Sequence, residues 1–338
     1  MEYLLFAASR EGLHTMEQTE DGMWRNPRLL SHPASLRALT GQGQLLVGGG
    51  RTGIYRSKNG GNDWQAVEPL PYPEQIRALE LILSSAKSPL ILAGTQPAGI
   101  LRSEDRGISW QPSPEVAALR DDRGWNLPYA PEAGCVHGFT NRSGKLYAAV
   151  EQGGVLTAER AGSKWRLVPG SSGDPHTPPG PGDVHPDVHD LFSDPNYPER
   201  IYAATGGGLY RSPAENAPWE KIHPAYCRAL WIDPDNSDHL VLGSAAGPDR
   251  EGRIEQSRNA GVTWKTQEAG LEETPWRNKM VEKFLSSRGR LTALLSSGSL
   301  LTVSLKDWQW APLKGWTGIS RKFSCSPHDD RFTRSRTT

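Results

Sequence analysis

Between residues 183 and 190 the chain reads Asp183-Val184-His185-Pro186-Asp187-Val188-His189-Asp190. In an extended segment Asp183, His185, Asp187 and His189 share one face, because side chains alternate with a period of two. Neutral imidazole beside carboxylate can ligate a divalent transition metal, with His185, Asp187 and His189 as the candidate set. The same groups can move a proton, and Asp187 or Asp190 is the candidate acid–base if the chain is an enzyme. A polar loop leading into a strand is the plainer reading, since no wider His/Cys motif accompanies the stretch.

Basic residues form a second constellation. Arg228, His189 and Arg321 each stand six residues before a proline (Pro234, Pro195 and Pro327). Arg37 and Lys283 each stand eight before a leucine (Leu45 and Leu291). Arg77 lies in Ile76-Arg77-Ala78-Leu79, which parallels Leu36-Arg37-Ala38-Leu39, and His137 in Val136-His137-Gly138-Phe139, which parallels Val188-His189-Asp190-Leu191. Seven Arg, Lys or His residues at one position of seven repeated units would form a cationic ring. Guanidinium groups that converge suit a carboxylate, phosphate or sulfate, whose geometry matches their fork. The alternative is that each pairs with an acidic neighbour as polar filling of a channel.

Either reading requires a repeat, and the tryptophans supply it. Trp24, Trp64, Trp110, Trp165, Trp219, Trp264 and then Trp308 or Trp310 recur at 40 to 55 residues. Such a period marks repeated supersecondary units. Before Trp64, Trp110 and Trp264 the chain runs Ser57-Lys58-Asn59-Gly60-Gly61-Asn62-Asp63, Ser103-Glu104-Asp105-Arg106-Gly107-Ile108-Ser109 and Ser257-Arg258-Asn259-Ala260-Gly261-Val262-Thr263. In this S-x-[DN]-x-G-x-x-W pattern the Asn or Asp can accept backbone N–H groups of its own turn, and the Gly permits positive φ. The tryptophan buries a large apolar area. A structural turn is expected, not a catalytic box.

The pattern resembles the Asp-box, or BNR, repeat of sialidase-like β-propellers, with three good copies and four degraded ones spread over nearly the whole chain. Alternating strands precede each turn, as in Gly53-Ile54-Tyr55-Arg56-Ser57, Gly99-Ile100-Leu101-Arg102-Ser103 and Gly208-Leu209-Tyr210-Arg211-Ser212. Two more apolar strands lie upstream of each, and one follows the tryptophan, which makes a four-stranded blade. The expected fold is all-β: one seven-bladed propeller over residues 1–330, with a disordered tail at 331–338. Three N-terminal strands, beginning at Tyr3–Ala8, and a C-terminal innermost strand, Ile319 to Cys325, would close the ring and hide its edges. The resemblance implies fold more than function, since the family includes enzymes, receptors and assembly factors.

Composition excludes little but is consistent. The 338 residues carry 38 basic and 38 acidic side chains, so no net charge steers the chain toward nucleic acid or membrane. No apolar run approaches a membrane span. The first residues lack the basic and apolar regions of a signal peptide. Cys135, Cys227 and Cys325 are odd in number and sit in or beside strands, so reduced buried thiols and a cytoplasmic location are expected.

The longest connections, Gln111 to Gly134 and Pro169 to Asp187, with a lesser one at Gln267 to Lys279, should lie at the same mouth as the basic ring. They bring Trp125 and Trp276, which could stack on a ligand or anchor their loops. Two functional classes follow. One is a binding or assembly propeller, similar to the photosystem assembly factors with an arginine-rich face, that holds an anionic small molecule, a glycan or a partner segment without a cofactor. The other is an enzyme: a sialidase-like glycoside hydrolase, or a metal-dependent hydrolase or lyase using His137, His185, Asp187 and His189. The Phe-Arg-Ile-Pro motif of sialidases is absent, its nearest counterpart being Trp24-Arg25-Asn26-Pro27. The tandem-propeller xyloglucanases use two propellers, and this chain supplies one.

Overall fold

A computed structural model describes residues 3–8, 12–20, 22–32, 36–70, 75–83, 89–130, 133–142, 144–160, 164–272 and 276–313. Arg321, the expected closing strand 319–325 and the tail 331–338 lie outside the described residues.

Seven antiparallel sheets follow one another along the chain. The first has three described strands, Tyr3–Ala8, Leu13–Gln18 and Trp24–Leu30; the other six have four each. We number the blades 1 to 7 in that order. The innermost strands of blades 2 to 7 are Leu36–Gln42, Gln75–Ile82, Cys135–Arg142, Val188–Ser193, Tyr226–Asp233 and Val281–Ser287.

The ring is held by packing between blades. Seven apolar clusters each straddle one blade pair, so every sheet gives one face to each neighbour. The closing contact joins blade 1 to blade 7 through Leu5, Ala7, Met16 and Trp24 against Leu294 and Leu300. Trp24 Nε1 also reaches Thr292 Oγ1 (3.4 Å), and Gln18 Nε2 donates to the Ser287 carbonyl (3.3 Å). Each fully buried Leu or Ile contributes about 1.5–3 kcal/mol, so no single blade holds the ring.

The three expected turns have matching hydrogen bonds. Gly61 N, Gly107 N and Gly261 N each donate to the serine Oγ four residues earlier (2.9 Å). Asn59, Asp105 and Asn259 accept the backbone N–H of Asp63, Ser109 and Thr263 (2.9 Å). The glycines sit at φ between 79° and 90°, which a Cβ disfavours. Asp105 is thus spent on its own turn. Burial is the largest single influence and would raise its carboxyl, but the bonds from Ser109, Ser103 and Ile108 together hold it below the usual range.

One element departs from expectation. The Gln111–Gly134 connection contains a helix, Pro114–Arg123, started by Pro114 in its first turn and ended by Gly124 in the left-handed conformation. Val116 is its buried anchor, and Glu115 Oε1 accepts the Trp165 N–H (3.0 Å), docking the helix on blade 4.

Candidate functional site

A single backbone irregularity places the basic residues. In every innermost strand from blade 2 to blade 7 the ladder slips by one residue just after the strand begins. The bulged residues are Arg37, Arg77, His137, His189, Arg228 and Glu282. A bulge leaves one residue unpaired and re-aims its side chain, here toward the channel. Six of the seven expected equivalences lie among the described residues, and five of those six hold. The sixth is corrected: the register puts Glu282 at the ring position, and Lys283 one residue further along. Val281-Glu282-Lys283 offers two charged side chains, and spacing to Leu291 cannot choose between them.

Arg37, Arg77, His137, His189, Arg228 and Lys283 nevertheless line one cavity of about 90 Å³, together with Asp190 and Glu282. Beneath it lies a chamber of about 250 Å³ that shares Arg37, Arg77, His137, Asp190 and Lys283. Phe139, Phe192, Phe284 and Glu80 also line it. Two other hollows are lined by different residues: a cleft of about 30 Å³ against Lys145 and Trp219, and an open groove of about 680 Å³ along residues 51–70 of blade 2. The groove is larger, but Arg51 and Glu68 are the charged groups along it. Convergent polar groups mark the channel as the better candidate.

The ring is not uniformly cationic. Arg228 faces Glu282, with Nη1 3.0 and 3.1 Å from the two carboxylate oxygens, and its Nε donates to the Tyr226 hydroxyl (2.8 Å). Burial opposes the Arg228 charge, but Glu282 more than restores it and raises its pKa. His137 Nε2 lies 2.5 Å from Glu151 Oε2, and Tyr129 donates to Glu151 Oε1 (2.5 Å). Burial would raise the Glu151 pKa, yet the His137 bond and charge hold it well below the carboxylate range. Arg37 donates to the neutral Gln75 Oε1 (3.2 Å). Arg77 and Lys283 make no hydrogen bond or ion pair among the described residues. In the chamber, burial pushes Asp190 up to about 6 and Glu80 up to about 7, with Lys283 partly offsetting both.

The 183–190 stretch is divided. Pro186 O accepts the Gly154 N–H (2.9 Å) and Asp187 O the Gly206 N–H (2.9 Å), which fixes the segment between blades 4 and 5. It packs on the Gly206–Gly208 turn so closely that a Cβ on Gly206 would lie 2.1 Å from Asp187 Oδ2, and one on Gly207 2.3 Å from the His185 ring. Asp187 Oδ1 faces His189 Nε2 at 3.2 Å. His185 does not join them: its Nδ1 accepts the Asp187 N–H (3.2 Å), and burial lowers its pKa. Among the described residues the ligand atoms that gather are those of Glu151, Asp187 and His189, and those of Cys135, His137 and Glu151. His185, one of the expected set, belongs to neither group. Asp190 points into the chamber, over Gly138, where a Cβ would lie 2.2 Å from Asp190 Oδ1.

Neither candidate tryptophan lines the channel. Trp125 is 2% exposed, packs in the blade 3–blade 4 core and donates from Nε1 to the Gly173 carbonyl (2.7 Å). Trp276 opens a short 3-10 turn and packs on the blade 6–blade 7 core. Both anchor their loops. Sequence reasoning missed Glu151, Tyr226, Glu282 and Glu80 as site residues. Glu151 is a lone carboxylate closing the apolar strand Lys145–Glu151, and that was its one signal.

No protein-family profile matches the chain, and no curated protein does. Solved structures match in fold. One is YCF48 bound to D1 peptide, 18% identical, covering 88% of this chain and 87% of that one, with a TM-score of 0.59. Another is the Niastella koreensis GH74 enzyme, 14% identical, covering 90% of this chain and 51% of that one, with a TM-score of 0.60. The computationally designed Ika8 protein, 10% identical, covers 95% and 86% with a TM-score of 0.54. This chain spans about half the length of the GH74 enzyme. At these identities the likeness is one of fold: a seven-bladed β-propeller.

Proposed function

We propose that the chain is a non-catalytic binding propeller that holds an anionic group, carried by a small molecule, a glycan or a partner segment, at the mouth of its channel. The observation that carries this is the convergence of six basic side chains from six successive blades on one cavity, with Arg77 lacking any hydrogen bond or ion pair among the described residues. If the ring were polar filling, each cation would be matched by its own carboxylate. Arg228 is so matched, and His137 and His189 each stand beside a carboxylate. Arg77 is not so matched, and Lys283, though close enough to Glu80 and Asp190 to lower their pKa values, makes no ion pair with either among the described residues. An unpaired guanidinium in a concave, partly dry site gains about 1.5–3 kcal/mol from an anionic acceptor. The neighbour YCF48 bound to D1 peptide supports a partner segment as occupant, since a propeller of similar fold binds a peptide.

The test is calorimetric titration with sulfate, citrate and a peptide ending in a free carboxylate. Arg77→Ala should weaken the best of these by about 10-fold or more. Affinity unchanged in Arg77→Ala would remove the ring from the reading. Turnover of a sialoside-type or uronate-type fluorogenic substrate by the pure protein would overturn its non-catalytic part.

A further inference from the structure

We infer that Glu151, Asp187 and His189 form a site for one divalent transition-metal ion in the wall of the channel mouth, between blades 4 and 5. The inference does not depend on the anion reading, because metal alone can be titrated.

The histidine is set up as a ligand. Its Nδ1 lies 2.9 Å from the Cys227 carbonyl oxygen. A carbonyl only accepts, so Nδ1 carries the proton and, in the neutral ring, Nε2 presents its lone pair. This is the backbone contact that fixes tautomer and orientation in metal-binding histidines. The ring is held further by Tyr226, 4.7 Å away centroid to centroid, and its side chain is 4% exposed.

What Nε2 faces is another lone pair. Asp187 Oδ1 stands 3.2 Å away, and this oxygen is buried without a hydrogen bond. Glu151, 5% exposed, brings a carboxylate oxygen to the same point, all three ligand atoms lying within 4.8 Å of one another. A cation bound at about 2.0–2.2 Å places adjacent donors about 3.0–3.5 Å apart, which the Asp187–His189 separation matches. Two carboxylates and a neutral imidazole give a doubly negative cradle, complementary to a divalent ion.

The outer contacts suit ligation as well. Tyr129 and His137 hold Glu151, and the Gly154 and Gly206 N–H groups hold the backbone at Pro186 and Asp187. Nitrogen and carboxylate donors favour zinc or manganese over calcium, which prefers six to eight oxygens.

The experiment uses the full chain, stripped with EDTA, and titrates zinc and manganese separately by calorimetry, with elemental analysis after dialysis. One equivalent should bind. Asp187→Asn, which keeps shape and fold, should weaken binding by about 100-fold or more, as should His189→Ala, whereas His185→Ala should change it by less than about threefold. Should His189→Ala fail to fold, Asp187→Asn decides alone. No stoichiometric binding of either metal, or equal binding by Asp187→Asn, overturns the site and leaves His189 as a protonated partner of Asp187.

Discussion

Replacing Glu80 with glutamine should stabilise the protein in a strictly pH-dependent way. Burial is the largest influence on Glu80, the Asp190 charge adds to it, and Lys283 offsets part; together they push its pKa from 4.5 to about 7. A carboxylate whose folded pKa is raised contributes stability below its unfolded pKa and loses it as pH climbs through the folded value. The window is therefore pH 4.5 to about 7. Each pKa unit is 1.36 kcal/mol, so the folded state forfeits at most ~3 kcal/mol from this group by pH 8. Glu80 keeps some contact with channel water, which lowers the figure to about 1–3 kcal/mol. Glutamine is neutral throughout. Urea unfolding of both proteins at pH 4 and pH 8 reads the difference: Glu80→Gln should lie within about 0.5 kcal/mol of the parent at pH 4 and gain about 1–3 kcal/mol at pH 8. An equal shift at both pH values would show that Glu80 ionises as in water and that the chamber is not the dry, carboxylate-bearing space described.

Other outcomes follow from the same geometry. Arg228→Ala strands Glu282, 17% exposed, and should cost about 3–5 kcal/mol in chemical denaturation, most of it restored by adding Glu282→Gln. Trp125→Ala should cost about 3–5 kcal/mol in the same assay while leaving anion affinity within about threefold, because its ring fills a core and not the mouth. Affinity for an anion should rise as pH falls from 8 to 5: Glu80 and Asp190 take up protons near 7 and 6, which unmasks Lys283, while Arg37 and Arg77 stay charged. Affinity that is flat or falls over that range would separate the chamber from the mouth. Gly206→Ala should destabilise by about 1–3 kcal/mol in urea unfolding and displace Asp187.

The fold was legible because its turn demands particular residues. Ser, Asn or Asp and Gly at fixed offsets from a tryptophan are each required by a hydrogen bond or a positive φ, so even three good copies set the register of the ring. The basic positions were legible for a related reason: a bulge at the same place in each innermost strand gives one sequence position one direction. That logic fails where two charged residues are adjacent, as at Glu282 and Lys283, since a one-residue slip in the ladder leaves no trace in spacing. The helix Pro114–Arg123 had its signals in Ser113-Pro114 and Gly124, but its weak apolar periodicity, with Val116 as the buried residue, hid them. The partnership of Glu151 with His189 and Asp187 joins two blades across 38 residues and was beyond any local pattern. His185 alternates correctly with Asp187 and His189, yet Pro186 and the Gly206–Gly208 turn bend the segment before the strand begins, so period-two reasoning did not apply there.

The central claim, that the mouth receives an anion, is tested most directly by a crystal structure grown with sulfate or citrate. The anion should lie in the channel within about 3.2 Å of the Arg77 guanidinium and of at least one other ring residue among Arg37, His137 and Lys283. A mouth holding water alone, with Arg77 turned onto a carboxylate of its own chain, would contradict it.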